Sequence, residues 1–160
     1  MRPSLAALLL ACLWRSAAFA QCAPAPDSPY FFRNLSEERA DAKIAADRAV
    51  YDKLLSTTFE SKNAEGQALA KSGYIALELA AGHGAAGRRF YSISQYRLIE
   101  HRPGHTVATY LLREGTTANG ETRMVESQVR ETYDVEDGKW RLSAVEVSPA
   151  VEDLPAQAAR

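Results

Sequence analysis

Three acidic side chains occupy positions where the sequence pattern favours apolar residues that face a core. Asp47 falls within the apolar stripe of a predicted helix, and Glu131 and Glu146 lie on the apolar faces of two predicted strands. A carboxylate that faces a core loses much of its hydration energy unless hydrogen bonds or a cation compensate. Acids in such places predict a pocket that transfers protons or binds a small molecule.

Each acid also has a structural interpretation. Asp47 lies one helical turn before Tyr51, which makes the two a candidate acid or base with its hydrogen-bonding neighbour. Asp47 could instead pair with an arginine of the sheet, or lie exposed at the edge of the stripe. Glu131 and Glu146 could be strand-end residues at the solvent boundary. Convergence of the three faces on one cavity would favour a functional role.

The aromatic residues beside these acids complete the candidate pocket. Tyr133 shares a strand face with Glu131, and Trp140 shares one with Glu146. No residue is assigned a catalytic role. The candidate pocket residues are Asp47, Tyr51, Glu131, Tyr133, Trp140 and Glu146.

Other chemical motifs have weaker support. His101 and His105 flank a Pro-Gly turn, but no third ligand stands near them in sequence, so no metal site is predicted. Residues 82–87 match the dinucleotide fingerprint G-x-G-x-x-G, which needs a strand before it and a helix after it. The predicted order here is helix and then strand, so we expect a mobile glycine loop and no cofactor.

Two helices must position these residues. A capping-box pattern begins the first helix at Asn34, and its apolar stripe continues to about Leu55. A second, shorter helix is predicted from Ser72 to Ala81, with Gly82 placed to end it.

Strands and turns account for the remainder of the predicted domain. A short strand pair, 57–62 and 67–70, separates the helices, and four longer strands follow at 89–101, 105–116, 121–135 and 139–147. Pro103-Gly104, Asn119-Gly120 and Asp137-Gly138 are hairpin signals between them. The apolar phase shifts between Ile93 and Leu98, which predicts a bulge and a curved sheet.

The N-terminus has the order of features of a secretory signal peptide. Arg2 gives a positive start, an apolar run follows, and Ala18-Phe19-Ala20 is a small-x-small cleavage site, so residues 1–20 are the predicted signal. The alternative is a lipoprotein box that would leave Cys12 lipidated. The run is too short to anchor in a membrane, so we expect an exported protein, periplasmic or extracellular, without membrane insertion.

Both ends of the mature chain have the composition of untethered segments. Residues 21–33 form a Pro-rich leader, and residues 149–160 a tail rich in Ala, Pro and acid that we expect to be disordered, which leaves 34–148 as one domain. Cys22 is the one cysteine left after cleavage, so it could link two chains by a disulfide or remain an inert thiol.

The charge of the mature chain excludes one class of partner. The formal net charge of −1 falls to −3 on signal removal, because Arg2 and Arg15 leave with it and no acid does. Such a balance gives no electrostatic attraction to nucleic acid.

The order of elements and several local motifs resemble the nuclear transport factor 2-like superfamily, in particular its SnoaL-like branch with domain of unknown function 4440. The resemblance covers about Glu37 to Ser148 and is carried by Leu54-Leu55, by Lys71-Ser72-Gly73-Tyr74-Ile75-Ala76, by the Tyr91 to Tyr110 hairpin and by residues 132–142, TYDVEDGKWRL. It implies an α+β, cystatin-like cone of curved antiparallel sheet around the long N-terminal helix, with a pocket inside and frequent homodimers.

These inferences predict an exported domain that binds a small organic ligand. One alternative is an isomerase-, dehydratase- or cyclase-type enzyme that uses pocket carboxylates and Tyr51, as the resemblance implies for some members. Another is a dimerisation scaffold with a filled cone. A binding domain predicts acids paired by arginines such as Arg97, Arg123 or Arg130, whereas an enzyme predicts an unpaired acid.

Overall fold

The computed structural model describes residues 28–84 and 87–150. The predicted signal peptide, the leader up to residue 27 with Cys22, residues 85–86 of the glycine loop and the tail from residue 151 onward lie outside the described residues. The predictions for those segments therefore remain predictions.

The first helix, α1, spans Pro29–Ala45 and begins earlier than the predicted start at Asn34. The Ser28 side chain accepts a hydrogen bond from the backbone N–H of Phe31 at 3.2 Å. A serine cap followed by proline in the first turn is a strong start signal, because proline lacks the N–H that would be unpaired there. Asn34, the predicted cap, lies inside the helix.

The long first helix is interrupted after α1. Ala46 adopts a left-handed conformation, with φ 52°, and the Asp47 side chain caps a second helix, α2, spanning Arg48–Leu54. Its carboxylate accepts the backbone N–H of Ala49 at 2.9 Å. The prediction of one continuous helix is wrong, since this local hydrogen bond offers the backbone an alternative to helical pairing.

The third helix, α3, spans Lys71–Gly84 and continues past Gly82, its predicted end. Gly82 has a different role. A Cβ atom built on it would lie 2.6 Å from the backbone carbonyl oxygen of Lys43 and 3.0 Å from the Cβ atom of Ala46. The missing side chain lets α3 approach the end of α1 closely.

We expect Gly82→Ala to destabilise the protein by about 1–3 kcal/mol, because the clash is with backbone that must shift. Gly73→Ala is the matched control on the same helix, where the added Cβ would lie 3.6 Å from the nearest atom, a Leu69 side-chain carbon. That change should raise stability by about 0.5–1 kcal/mol through helix propensity. Urea unfolding of both variants measures the difference, and equal effects would contradict the packing role.

Six strands form one sheet in the order β2-β1-β6-β5-β4-β3. Their bounds are β1 Leu55–Lys62, β2 Ala68–Ala70, β3 Arg88–Arg102, β4 His105–Ala118, β5 Glu121–Glu136 and β6 Lys139–Pro149. All neighbouring pairs are antiparallel except β1 and β6, which run parallel. The parallel pair places β1, which follows α2, beside β6, the last strand.

The hairpin turns confirm their sequence signals. Asn119 and Gly120 have φ angles of 53° and 82°, and Asp137 and Gly138 have 52° and 72°. Two successive positive φ values define the tight turn that matches strand twist, and Asn, Asp and Gly tolerate them best.

Irregularities in strand pairing curve the sheet, and two of them affect the predicted residues. The predicted bulge in β3 is confirmed by a register shift between Ser94 and Arg97, with Gln95 at φ 53°. A second bulge lies in β6, where Tyr133 pairs with Leu142 but Thr132 pairs with Ala144. An extra residue in one strand bends it and reverses the faces of the residues beyond it.

The concave face of the sheet and the helices enclose the core. Among its fully buried side chains are Phe32, Tyr51, Tyr110, Val129, Tyr133, Leu142 and Val145. Of the helices described, none is long and apolar enough to cross a membrane.

Candidate functional site

Two polar residues of α1 project into the core between helix and sheet. Ser36 and Arg39 stand three residues apart on one helix face, and their exposed fractions are 0% and 4%. Arginine is seldom buried this fully unless it is paired.

Glu131 of β5 is the partner of both residues and is fully buried. Its Oε1 atom accepts Arg39 Nε at 2.7 Å and the Tyr110 hydroxyl at 2.9 Å, and its Oε2 atom accepts the Ser36 hydroxyl at 2.5 Å and the Tyr133 hydroxyl at 2.7 Å. Four donors occupy the acceptor positions of one carboxylate. We call these five residues, together with Tyr74, the polar cluster.

Arg39 binds two tyrosines besides Glu131. Its Nη1 and Nη2 atoms donate to the hydroxyl oxygens of Tyr74 and Tyr110 at 2.7 and 2.9 Å. Burial alone lowers the pKa of Arg39, but Tyr110, Tyr74 and Glu131 outweigh it and hold that pKa well above its usual value. The guanidinium is charged under all ordinary conditions.

The tyrosine hydroxyls of the cluster remain protonated. Burial raises the pKa of Tyr110 and Tyr133 well above the usual value, and the negative charge of Glu131 raises it further. Burial also raises the pKa of Tyr74. These side chains therefore act as fixed hydrogen-bonding groups.

A cavity of about 210 Å³ lies above Arg39 and Tyr74, which form its polar floor. Both apolar and charged side chains line the rest of the cavity. The remaining lining residues are Lys43, Ser61, Lys62, Asn63, Leu69, Leu77, Glu78, Leu112, Glu114, Ser127, Val145 and Val147. Fixed polar groups beneath an apolar wall are typical of a small-molecule site.

A larger depression, of about 620 Å³, lies along β1 and β2. It is an open groove, and two of its charged residues, Arg48 and Asp52, are paired with each other at the surface at 3.4 Å. Since no buried polar side chain among the described residues lines this groove, the smaller cavity with Arg39 and Tyr74 is the better candidate.

The predicted pocket residues are distributed over three places. Tyr51, Glu131 and Tyr133 are fully buried, and none of them is among the residues that line the cavity. Trp140 is half-buried and packs edge-on against Phe32, with ring centroids 5.0 Å apart.

The other two predicted acids are exposed and do not face the core. Asp47 caps α2. Because the helix breaks just before it, Asp47 does not lie on a buried helix face as predicted. Glu146 lies on the outer face opposite Arg130, because the bulge in β6 reverses the faces beyond it. The three acids therefore do not converge on one cavity, and Glu131 alone of the three is buried.

The two histidines of the β3–β4 hairpin do not bind each other. His101 Nδ1 lies 2.9 Å from the Thr106 hydroxyl, and His105 Nδ1 lies 2.7 Å from Asp134 Oδ1. Within residues 28–84 and 87–150, no group of three or more His, Cys, Asp or Glu side chains is arranged to hold a metal ion.

Sequence reasoning missed Arg39, Tyr74 and Glu78. Arg39 is of a type that is rarely buried, so the local pattern gave no signal that it faces the core. Glu78 lies three residues after Ile75 and four after Tyr74, on the buried side of α3. Their partners come from distant parts of the chain, so no local pattern connects them.

No family model matches this chain, and no curated protein matches it. Solved structures do resemble it. A nuclear transport factor 2-like protein of unknown function from Pseudomonas putida is 17% identical, with a TM-score of 0.66 over 85% of this chain and 95% of that one. The association domain of C. elegans CaMKII is 17% identical, with a TM-score of 0.63 over 73% of this chain and 92% of that one.

A third similar structure is an uncharacterised protein with a cystatin-like fold from Caulobacter vibrioides. It is 12% identical, with a TM-score of 0.63 over 76% of this chain and 89% of that one. At these identities the likeness shows the fold alone. The order of elements, the curved sheet and these neighbours together give the fold that the resemblance implied, and the SnoaL-like branch remains a prediction.

Proposed function

We propose that this chain, which has the nuclear transport factor 2-like fold, binds a small organic molecule in the cavity above Arg39 and Tyr74. The observation that carries the proposal is the polar floor. Arg39 is held in place by Glu131 and two tyrosines before any ligand arrives. Preorganised groups lower the entropic cost of binding, because they need not be ordered by the ligand.

The cavity limits the size of the ligand. Its volume of about 210 Å³ is below the range of roughly 300–1,000 Å³ that is typical of sites for drug-sized molecules. The wall residues Leu69, Leu112 and Val147 favour an apolar body. We therefore expect a small, partly apolar molecule.

The state of Glu131 favours binding over catalysis by this residue. The hypothesis of a binding domain predicts an acid that is paired by an arginine. Glu131 is paired by Arg39, whereas the sequence suggested Arg97, Arg123 or Arg130. Four donors already occupy the acceptor positions of the Glu131 carboxylate, so no position is left for a substrate proton. The cavity itself also favours binding over the scaffold alternative, since a filled cone would contain no such space.

The enzymatic alternative has one observation in its favour. Glu78 lines the cavity and is 8% exposed, and the Tyr51 hydroxyl donates to its Oε2 atom over a long 3.4 Å. A loosely held carboxylate beside a tyrosine could move a proton in an isomerase-, dehydratase- or cyclase-type reaction. In that case Glu78 would be the base, and Tyr51 its neighbour.

We also propose that the chain forms a homodimer through the outer face of the sheet. That face carries a groove of about 540 Å³, and Ile99 within it is 51% exposed. One of the similar solved structures is an association domain.

Cleavage before Gln21 and export are proposed from the sequence, and an intact-mass measurement that finds Met1 retained would contradict them.

A cavity-blocking variant tests the proposed site. Ser127 of β5 lines the cavity and is half-buried, so Ser127→Trp should place an indole inside it. Thr122→Trp, at an exposed position of the same strand, is the matched control. In a fragment screen by ligand-observed NMR, fragments that bind wild type and the control should fail to bind Ser127→Trp. Identical sets of binders for all three proteins would contradict the proposal.

A further inference from the structure

The charged groups at the cavity opening are unequally paired. Lys43 Nζ lies 2.8 and 3.0 Å from the two carboxylate oxygens of Glu114, but 3.6 Å from Glu78 Oε2. A hydrogen bond between nitrogen and a charged oxygen is normally shorter than 3.2 Å. Lys43 is therefore drawn to Glu114 and leaves Glu78 weakly paired.

Glu78 contrasts with the other buried carboxylate. Glu131 has four donors at 2.5 to 2.9 Å. Glu78 Oε2 lies 3.4 Å from the Tyr51 hydroxyl. That hydroxyl also lies 3.4 Å from the backbone carbonyl oxygen of Arg39, so two acceptors share it. In the part of the chain that the structure describes, no group donates to Glu78 Oε1. Among the described residues, the one buried side-chain polar atom without a partner belongs to Arg89, so Glu78 Oε1 is open to the cavity, where a ligand or water can donate to it.

The charged residues around the cavity also leave Glu78 weakly paired. Arg39 is neutralised by Glu131, and Lys62 at the rim is exposed to solvent. Of the other charged residues, Lys43 pairs with Glu114, so Glu78 is the acid left without a close cation. An anionic ligand beside Glu78 would meet a weakly paired carboxylate in a region of reduced dielectric, where repulsion is strong.

We infer that the ligand carries a protonated amine that binds Glu78, with an apolar body against Leu69, Leu77 and Leu112. This inference rests on the proposed function, because it assigns the ligand class of the same cavity. The ammonium would donate to Glu78 Oε1 and share Oε2 with Tyr51. Leu77 is 55% exposed at the opening, and an apolar ligand body would cover it.

Three probes of one shape test the ligand class. Benzylamine, benzyl alcohol and benzoate share a ring and differ in the charge of the polar group. By calorimetric titration, wild type should bind benzylamine about tenfold or more tightly than benzoate. Glu78→Gln, which keeps the shape of the side chain, should remove that preference and leave the affinity for benzyl alcohol within about threefold. Glu121→Gln, at an exposed hairpin position outside the cavity, should behave as wild type.

The outcomes separate this inference from the proposed function. Tighter binding of benzoate or benzyl alcohol, abolished by Ser127→Trp, would overturn the amine assignment and leave the cavity as a binding site. An unchanged amine preference in Glu78→Gln would also overturn it. If none of the probes binds wild type and the fragment screen gives no binder that Ser127→Trp removes, both the inference and the proposed function fail. A far-ultraviolet circular dichroism spectrum shows that each variant is folded.

Discussion

Arg39→Met is expected to lower the free energy of unfolding by about 3–5 kcal/mol, because it leaves the Glu131 charge buried without its cation. Methionine retains much of the apolar stem, so the loss reports the charge and its hydrogen bonds more than lost packing. Glu131 would keep the hydroxyl donors of Ser36, Tyr110 and Tyr133, which limit the damage. Urea unfolding followed by circular dichroism measures the change.

The same helix provides a control for that substitution. Arg33 pairs with Glu37 at 2.9 Å, and their side chains are 42% and 36% exposed. Arg33→Met should change stability by less than about 1 kcal/mol, since water screens an exposed pair. Similar losses in Arg33→Met and Arg39→Met would contradict the structural role of the polar cluster.

Phe32→Ala should also cost about 3–5 kcal/mol, because it leaves a hole in a packed site. Phe32 is 0% exposed, and its ring centroid lies 5.0 Å from that of Trp140 and 5.3 Å from that of Tyr133. Tyr30→Ala on the same helix is the control, since Tyr30 is 72% exposed and its loss should lie within about 0.5 kcal/mol. A loss below about 1 kcal/mol in Phe32→Ala would contradict this packing.

Features with local causes could be predicted from the sequence. The Asn119-Gly120 and Asp137-Gly138 turns need positive φ angles that these residue types adopt readily, so the hairpins were found with their strands. The bulge near Gln95 was visible as a shift of the apolar phase within one strand.

Other features were missed, one for a local reason and two because they depend on distant partners. Asp47 fits the apolar stripe only if the helix is continuous, and its capping bond to Ala49 ends that continuity. Without the bulge in β6, Glu146 would lie on the same strand face as Trp140. That bulge is defined by the pairing of β6 with β5. Nothing in the local pattern places Arg39 beside Glu131, because the two are brought together by the packing of α1 on the sheet.

The central claim is that the cavity above Arg39 and Tyr74 holds a small organic molecule. Native mass spectrometry of protein purified from its own host tests it most directly, with wild type and Ser127→Trp prepared side by side. We expect wild type to carry the additional mass of a small molecule that is released on denaturation, and Ser127→Trp to lack that mass. The same additional mass on both proteins, or the mass of the polypeptide alone on both, would contradict the claim.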